Sequence, residues 1–330
     1  MPDIAWFILI ILLSVGFAVV NGANDAANAI ATVVGTRVLS PVKAIAMAAV
    51  LNFAGAATGL AVAHTIGKGI VASEYISYEV IVAALLAAVV WGAVATRFGL
   101  PISLHHALIA GLVGSGIAAA GSVAIVWKVL TTKVLPSVGV APALGLAAGF
   151  LVMVALYWIL RRTSPLKVEA HFSRLQILSA AFMAYAHGKN DGQMPIGLMA
   201  IALMIHSGGT EWSVPFWIIA LSAVSIACGT ALGGWRVIRT LGTRMTSLRP
   251  VQGFAAEAAA ASVIEAASHF GIPVSTTHCI TASIMGVGAT KRLSAVRWGI
   301  AGNIVLAWVM TFPICGVLGW IISELLMLAS

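Results

Sequence analysis

From residue 298 to residue 322 the chain carries no Asp, Glu, Lys or Arg. As a helix rising about 1.5 Å per residue, that run is longer than the roughly 30 Å of hydrocarbon in a bilayer. Apolar runs of comparable length fall at 4–36, 44–63, 139–160, 175–205 and 212–234, so six continuous spans are the minimum expected. Only 8% of the residues are charged, against about a quarter in soluble proteins, which excludes a water-soluble domain. The net charge of +8 does not point to nucleic acid, because the 18 basic residues lie dispersed between apolar runs and form no basic face. Cys228, Cys279 and Cys315 are an odd, widely spaced set, unlike a zinc site or a disulfide framework, and read as small core residues.

Two further apolar stretches, 79–120 and 254–290, are too long for one crossing. Each is broken near its middle, at Gly99-Leu100-Pro101-Ile102-Ser103 and at Gly271-Ile272-Pro273-Val274-Ser275. Proline removes a helical donor and pushes the preceding residue out of the α region, so each stretch predicts a helical hairpin with its tip at the proline. Placing Arg37 and Lys43 in the cytoplasm then puts 161–174, 236–250 and 290–297 there too, which gathers 13 of the 18 basic residues on one side. The positive-inside rule asks for such a bias. Lys68, Lys128 and Lys133 fall outside with the N-terminal end, whose apolar segment lacks a preceding basic residue and reads as a retained helix. Segments 123–136 and 236–249 mix basic and apolar residues and are expected to lie along the membrane surface. Gly145 and Gly149 form a GxxxG pair that would suit a dimer seam.

The chain repeats itself. Gly22-Ala23-Asn24-Asp25 is answered 166 residues later by Gly188-Lys189-Asn190-Asp191, and Pro101-Ile102-Ser103 is answered 172 residues later by Pro273-Val274-Ser275. The expected fold is an all-α polytopic membrane protein of two inverted-topology repeats, each with three full spans and a hairpin broken at Pro. Residues 1–160 form the first repeat, 161–174 a short cytoplasmic linker and 175–330 the second. Such an architecture places a binding site near the midplane, where the copies meet.

A carboxylate at the centre of a span costs about 2.5–3.5 kcal/mol even on insertion scales, so Asp25 and Asp191 need a partner. Helix ends or a neighbouring base would satisfy them. Cation coordination would too, with Asn24, Asn28, Asn190 and Gln193 adding amide oxygens and the motif glycines freeing carbonyls by breaking the helix. Na⁺ at Asp25 and Asp191 is one such ion, and H⁺ on a carboxylate the other; no resident metal or organic cofactor is indicated. The hairpin tips offer the opposite polarity, because Ser275, Thr276 and Thr277 open a helix whose free N–H groups and hydroxyls suit an oxyanion. Plain N-capping is the alternative use of those serines.

These residues resemble the inorganic phosphate transporter (PiT) family. Gly22-Ala23-Asn24-Asp25-Ala26-Ala27-Asn28-Ala29 is similar to its signature, and His187-Gly188-Lys189-Asn190-Asp191-Gly192-Gln193 to the second copy in bacterial members. Pro273-Val274-Ser275-Thr276-Thr277-His278 is similar to its hairpin motif, and Gly234-Trp235-Arg236 through Gln252-Gly253-Phe254-Ala255-Ala256-Glu257 to the stretch before it. The resemblance implies inward phosphate movement with Na⁺ or H⁺ by alternating access, in the inner (cytoplasmic) membrane. It further implies a homodimer in contact with lipid and a PhoU-like cytoplasmic accessory protein. It puts the ion at Asp25 and Asp191, and the anion at Ser103, Ser275, Thr276 and Thr277.

Two departures from the family pattern stand out. His105 and Leu104 replace hydroxyls in the first hairpin, where the imidazole either serves the oxyanion or packs at the turn. Lys189 is a fixed charge two residues before Asp191, suited to pair with it, to stand in for a cation and favour H⁺ coupling, or to attract the anion. Glu257, Glu265 and His269 suggest either a proton relay or, more simply, a carboxylate near the cytoplasmic end and a Glu265–His269 bond. His64, His171 and His206 receive no role. The competing functions are a sulfate or related oxyanion permease of the same fold and a passive anion channel. No metal-ligand, nucleophile or nucleotide motif supports an enzyme or direct ATP drive.

Overall fold

Proline opens α2, α8 and α12 at the first helical position, where its missing N–H costs nothing and its fixed φ suits the helix. In the computed structural model, which describes residues 2–209 and 212–329, the helices are α1 (Pro2–Gly35), α2 (Pro41–Ala56), α3 (Ala61–Gly69), α4 (Tyr78–Phe98), α5 (Leu104–Ala120), α6 (Trp127–Val129), α7 (Leu135–Leu160), α8 (Pro165–Asp191), α9 (Gln193–His206), α10 (Phe216–Leu232), α11 (Trp235–Arg239), α12 (Pro250–His269), α13 (Thr276–Ala289) and α14 (Trp298–Ala329). One isolated bridge, Val71 to Ile125, is the only β pairing among the described residues.

Five helical stretches are long and apolar enough to cross a membrane: Asp3–Gly35, Tyr78–Phe98, Leu104–Ala124, Trp127–Leu160 and Trp298–Ala329. Large apolar side chains such as Leu151, Ile159, Val309 and Leu325 point outward, which suits lipid and not water.

Four of the expected spans differ from the observed helices. The run 44–63 is two helices, α2 and α3, bent by 71°. The bend is held from a distance: the Gln193 side-chain oxygen accepts the Val62 and Ala63 N–H groups at 2.8 and 3.2 Å and so caps α3. The run 212–234 is α10 followed by a 61° turn into α11. The run 175–205 begins ten residues early, at Pro165, and is divided at Gly192. The run 139–160 extends back to Trp127 through a π turn at Leu130–Val134, so most of 123–136 is the start of that helix and no separate surface segment. Segment 236–249 likewise packs on α1. Val237 and Leu241 are fully buried, and a Cβ on Gly35 would lie 2.3 Å from the Gly242 oxygen.

Both hairpins form where the prolines placed them, α4–α5 and α12–α13. Their first arms end alike, in a glycine at positive φ, Gly99 (72°) and Gly271 (64°). A 6→1 bond closes each end, Leu100 N–H to Ala95 O at 2.9 Å and Ile272 N–H to Ala267 O at 3.0 Å. The second arms pack backbone to backbone on long helices. A Cβ on Gly114 of α5 would fall 1.9 Å from Gly316 O of α14, and one on Gly145 of α7 would fall 2.4 Å from Cys279 O of α13. Gly149 meets Ser283 O of α13 in the same way. Gly145 and Gly149 thus serve contact within the chain and not a dimer seam. Cys279 and Cys315 are buried as expected, whereas Cys228 is exposed.

Candidate functional site

α1 continues through its Asn-Asp motif, whereas α8 passes Gly188 and ends at Asp191, so Gly22 and Gly188 break no helix and the one break falls at Gly192, where the Lys189 carbonyl accepts from Gln193 Nε2 at 2.6 Å. Gly22 and Gly188 permit close approach instead: a Cβ on Gly22 would stand 2.2 Å from Ile226 O, and one on Gly188 2.2 Å from Asn52 O. α1 is thereby drawn to α10, and α8 to α2. Those contacts build a relay of fixed polarity, in which Thr230 Oγ1 donates to Ile226 O at 2.9 Å and Asn52 Nδ2 donates to Thr230 Oγ1 at 2.7 Å. The Asn52 oxygen is left facing His187 Nδ1 at 2.9 Å. Because that oxygen only accepts, Nδ1 carries the proton, and Nε2 is the nitrogen turned toward the carboxylates.

His187 Nε2 lies 3.8 Å from Asp25 Oδ2 and 3.5 Å from Asp191 Oδ2. One ligand atom from each of the three residues falls within 4.8 Å of the others, and all three are buried. Each carboxylate also faces a hairpin tip. Thr277 Oγ1 donates to Asp25 Oδ1 at 2.9 Å, and His105 Nδ1 lies 3.8 Å from Asp191 Oδ1. Asn28 Nδ2 reaches Thr277 Oγ1 at 3.0 Å and Thr276 Oγ1 at 3.3 Å. His187 Nε2, Asp191 Oδ2 and Asn28 Oδ1 are buried without a hydrogen-bond partner. Two buried carboxylates, with Asp191 Oδ2 and the Asn28 amide oxygen left as unpaired acceptors beside them, suit a cation.

The remaining expected residues divide by role. Ser103 and Ser275 cap the second arms, accepting from His106 N and His278 N at 3.3 and 3.1 Å, so capping is what their hydroxyls do here. Asn24 holds the first hairpin through Thr96 Oγ1 (2.8 Å) and Leu100 O (3.3 Å), whereas Asn190 holds the second through Val274 O (2.9 Å) and Ser268 (3.2 Å). Gln193 faces α3, away from the carboxylates. Lys189 pairs with Glu265 and not with Asp191. Two residues turn a helix by about 200°, so sequence neighbours 189 and 191 lie on opposite faces. That ion pair also removes the expected Glu265–His269 bond, and the His269 ring meets Phe270 edge-on instead.

Two features escaped the sequence reading. His187 had a signal, four residues before Asp191 and therefore on its face. Glu257 does not sit at an open cytoplasmic end: it is fully buried, with hydroxyls of Thr32 and Ser179 and the Gln176 amide donating to it.

Known proteins resemble this chain over nearly its whole length. One relative, a probable low-affinity inorganic phosphate transporter of Rhizobium meliloti (strain 1021), is 45% identical over 306 residues, covering 92% of this chain and 91% of its own. A protein of the same description from Bacillus subtilis (strain 168) is 39% identical over 94% of both chains. A solved structure described as a sodium-dependent phosphate transporter superposes with a TM-score of 0.88 at 28% identity, over 99% of this chain and 100% of the other. With the phosphate transporter family model matching residues 21–319 as well, the chain belongs to that family and is a membrane permease, not an enzyme.

Proposed function

We propose that the protein imports inorganic phosphate through the cytoplasmic membrane by symport with a cation, alternating the access of one central site. The observation that carries this reading is the meeting of Asp25 and Asp191 on His187, beside the Thr277 hydroxyl and the His105 ring. Two buried carboxylates repel an anion until a cation neutralises them. Cation and phosphate therefore favour one another's binding by the same factor, and symport requires such coupling. A channel gains nothing from that arrangement.

In this reading α1 and α8 are equivalent elements of two inverted repeats, 1–160 and 175–330, as are the two hairpins and the pair α7 and α14. Asp25, Asn28 and Asp191 surround the cation. Thr276, Thr277, His105 and the capped turns at Ser103 and Ser275 receive the phosphate. Na⁺ is favoured by the description of the solved structure, whereas H⁺ is the ion that His187 would carry. Lys189 does not supply the substitute charge, because Glu265 already neutralises it. A homodimer is the assembly this reading adopts.

Labelled phosphate uptake into proteoliposomes, driven separately by Na⁺ and by pH gradients, tests the proposal. Concentrative uptake with one gradient and loss of it in Asp25→Asn and Asp191→Asn are expected. Uptake that never exceeds equilibrium would establish a channel, and equal competition by sulfate and phosphate would establish a general oxyanion permease.

A further inference from the structure

At the ends of α7, α12 and α13 that the positive-inside count assigns to the cytoplasm, a cavity of about 440 Å³ opens that is lined by none of the carboxylate-site residues. Arg161, Arg249 and Lys291 line it, from three separate loops. None of the three forms an ion pair among the described residues. Glu169 is the one carboxylate on the wall, so the wall carries a net charge of about +2 by its side chains. Burial, then the neighbouring Arg249, holds the Lys291 ammonium below its ordinary range.

Two helix N-termini add to that potential. Pro165 and Pro250, the first residues of the 27-residue α8 and the 20-residue α12, both border the cavity, and Ser164 makes no side-chain cap to α8. The positive ends of two dipoles therefore face the same space as the three cations, although at α12 a capping box, with Arg249 N–H donating to Gln252 Oε1 at 2.9 Å, already closes part of that end.

The other half of the wall is apolar, with Met153, Leu160 and Val251. Trp158 beside it is 66% exposed, with the Arg161 guanidinium 5.4 Å from its ring centroid, the arrangement of an aromatic anchor at headgroup depth. A free anion has no use for the apolar half. A phospholipid needs both halves, since its headgroup phosphate matches the basic rim and its acyl chain the apolar wall.

We propose that this cavity is a binding site for an anionic phospholipid of the cytoplasmic leaflet, its headgroup phosphate held by Arg161, Arg249 and Lys291. The test is lipid retention by the full-length protein in neutral detergent, read by native mass spectrometry with phosphatidylglycerol, phosphatidylcholine and inorganic phosphate as probes. Wild type should retain phosphatidylglycerol at least tenfold better than phosphatidylcholine. The triple variant Arg161→Gln/Arg249→Gln/Lys291→Gln should lose about a hundredfold, roughly fivefold for each basic group at the surface. Val251→Trp keeps every charge and fills the apolar half. It should also release the lipid, and together with Lys291→Gln alone it decides the matter if the triple variant does not fold. Equal retention of the two lipids by wild type, or unchanged phosphatidylglycerol retention in folded variants, would overturn the proposal. So would complete displacement of lipid by millimolar inorganic phosphate, which would make this a free-phosphate site.

Discussion

Replacing Asp25 by Asn removes one charge and almost no volume. The new side-chain oxygen still accepts from Thr277 Oγ1, now 2.9 Å from Asp25 Oδ1, so the second hairpin tip stays in place. The cation loses one of two carboxylates. Their ligand atoms and that of His187 lie within 4.8 Å of one another, so an ion among them is no farther than about 4 Å from the Asp25 oxygen. At that distance a unit charge contributes about 4 kcal/mol at an effective dielectric constant near 20. Roughly three decades of cation affinity follow, since each 1.4 kcal/mol is tenfold. By linkage the apparent phosphate affinity at fixed cation falls as well, up to the same factor. The measurement is the initial rate of phosphate uptake into proteoliposomes against Na⁺ at fixed pH, then against pH without Na⁺. The half-saturating concentration of the coupling ion should rise at least a hundredfold. Asp191→Asn should act alike, and the double variant should fall short of the sum, because both carboxylates act on one ion. A half-saturating concentration within threefold of wild type, in protein that elutes and melts normally, would refute the assignment of the cation to this pair.

Other substitutions separate the parts of the site. Gly188→Ala sets a Cβ 2.2 Å from Asn52 O, which forces α2 and α8 apart by about 1 Å; it should cost about 1–3 kcal/mol in thermal stability and lower uptake by loosening the Asn52–His187 bond. Thr277→Val leaves Asp25 Oδ1 short of a donor, so phosphate affinity should fall about tenfold to a hundredfold, with Thr277→Ser restoring it. Lys189→Met breaks a partly exposed pair with Glu265; stability should change by about 1 kcal/mol or less, and a tenfold change in the half-saturating cation concentration would instead tie Lys189 to the site. Trp308→Phe keeps the stack on His278 but loses the 3.0 Å bond to Pro101 O, and a lower melting temperature of about 1 kcal/mol equivalent is the expected readout.

What could be read from residue order was whatever physics imposes locally. Pro101 and Pro273 end helices through their own missing donors, and Gly99 and Gly271 take the positive φ that a helix end beside a proline requires. Asp25 and Asp191 declared themselves by charge within an apolar run. The bend between α2 and α3 was hidden because hydropathy does not register direction, and the group that stabilises it, Gln193, is about 130 residues away.

The motif glycines show the same limit in a sharper form. In sequence, Gly22 and Gly188 look like helix breaks, and the cation site seemed to need the carbonyls a break would free. In the fold α1 continues past Gly22 and α8 past Gly188 as far as Asp191, and the missing side chains let α10 and α2 touch α1 and α8. That contact brings Asn52, itself buried and held by Thr230, against His187 and so turns the other ring nitrogen toward the two carboxylates. The proposed cation site is thus offered an imidazole whose orientation depends on contacts 135 and 178 positions apart in sequence. A local pattern cannot carry that information, because the same glycine serves a break or an approach, and only the opposing helix decides which.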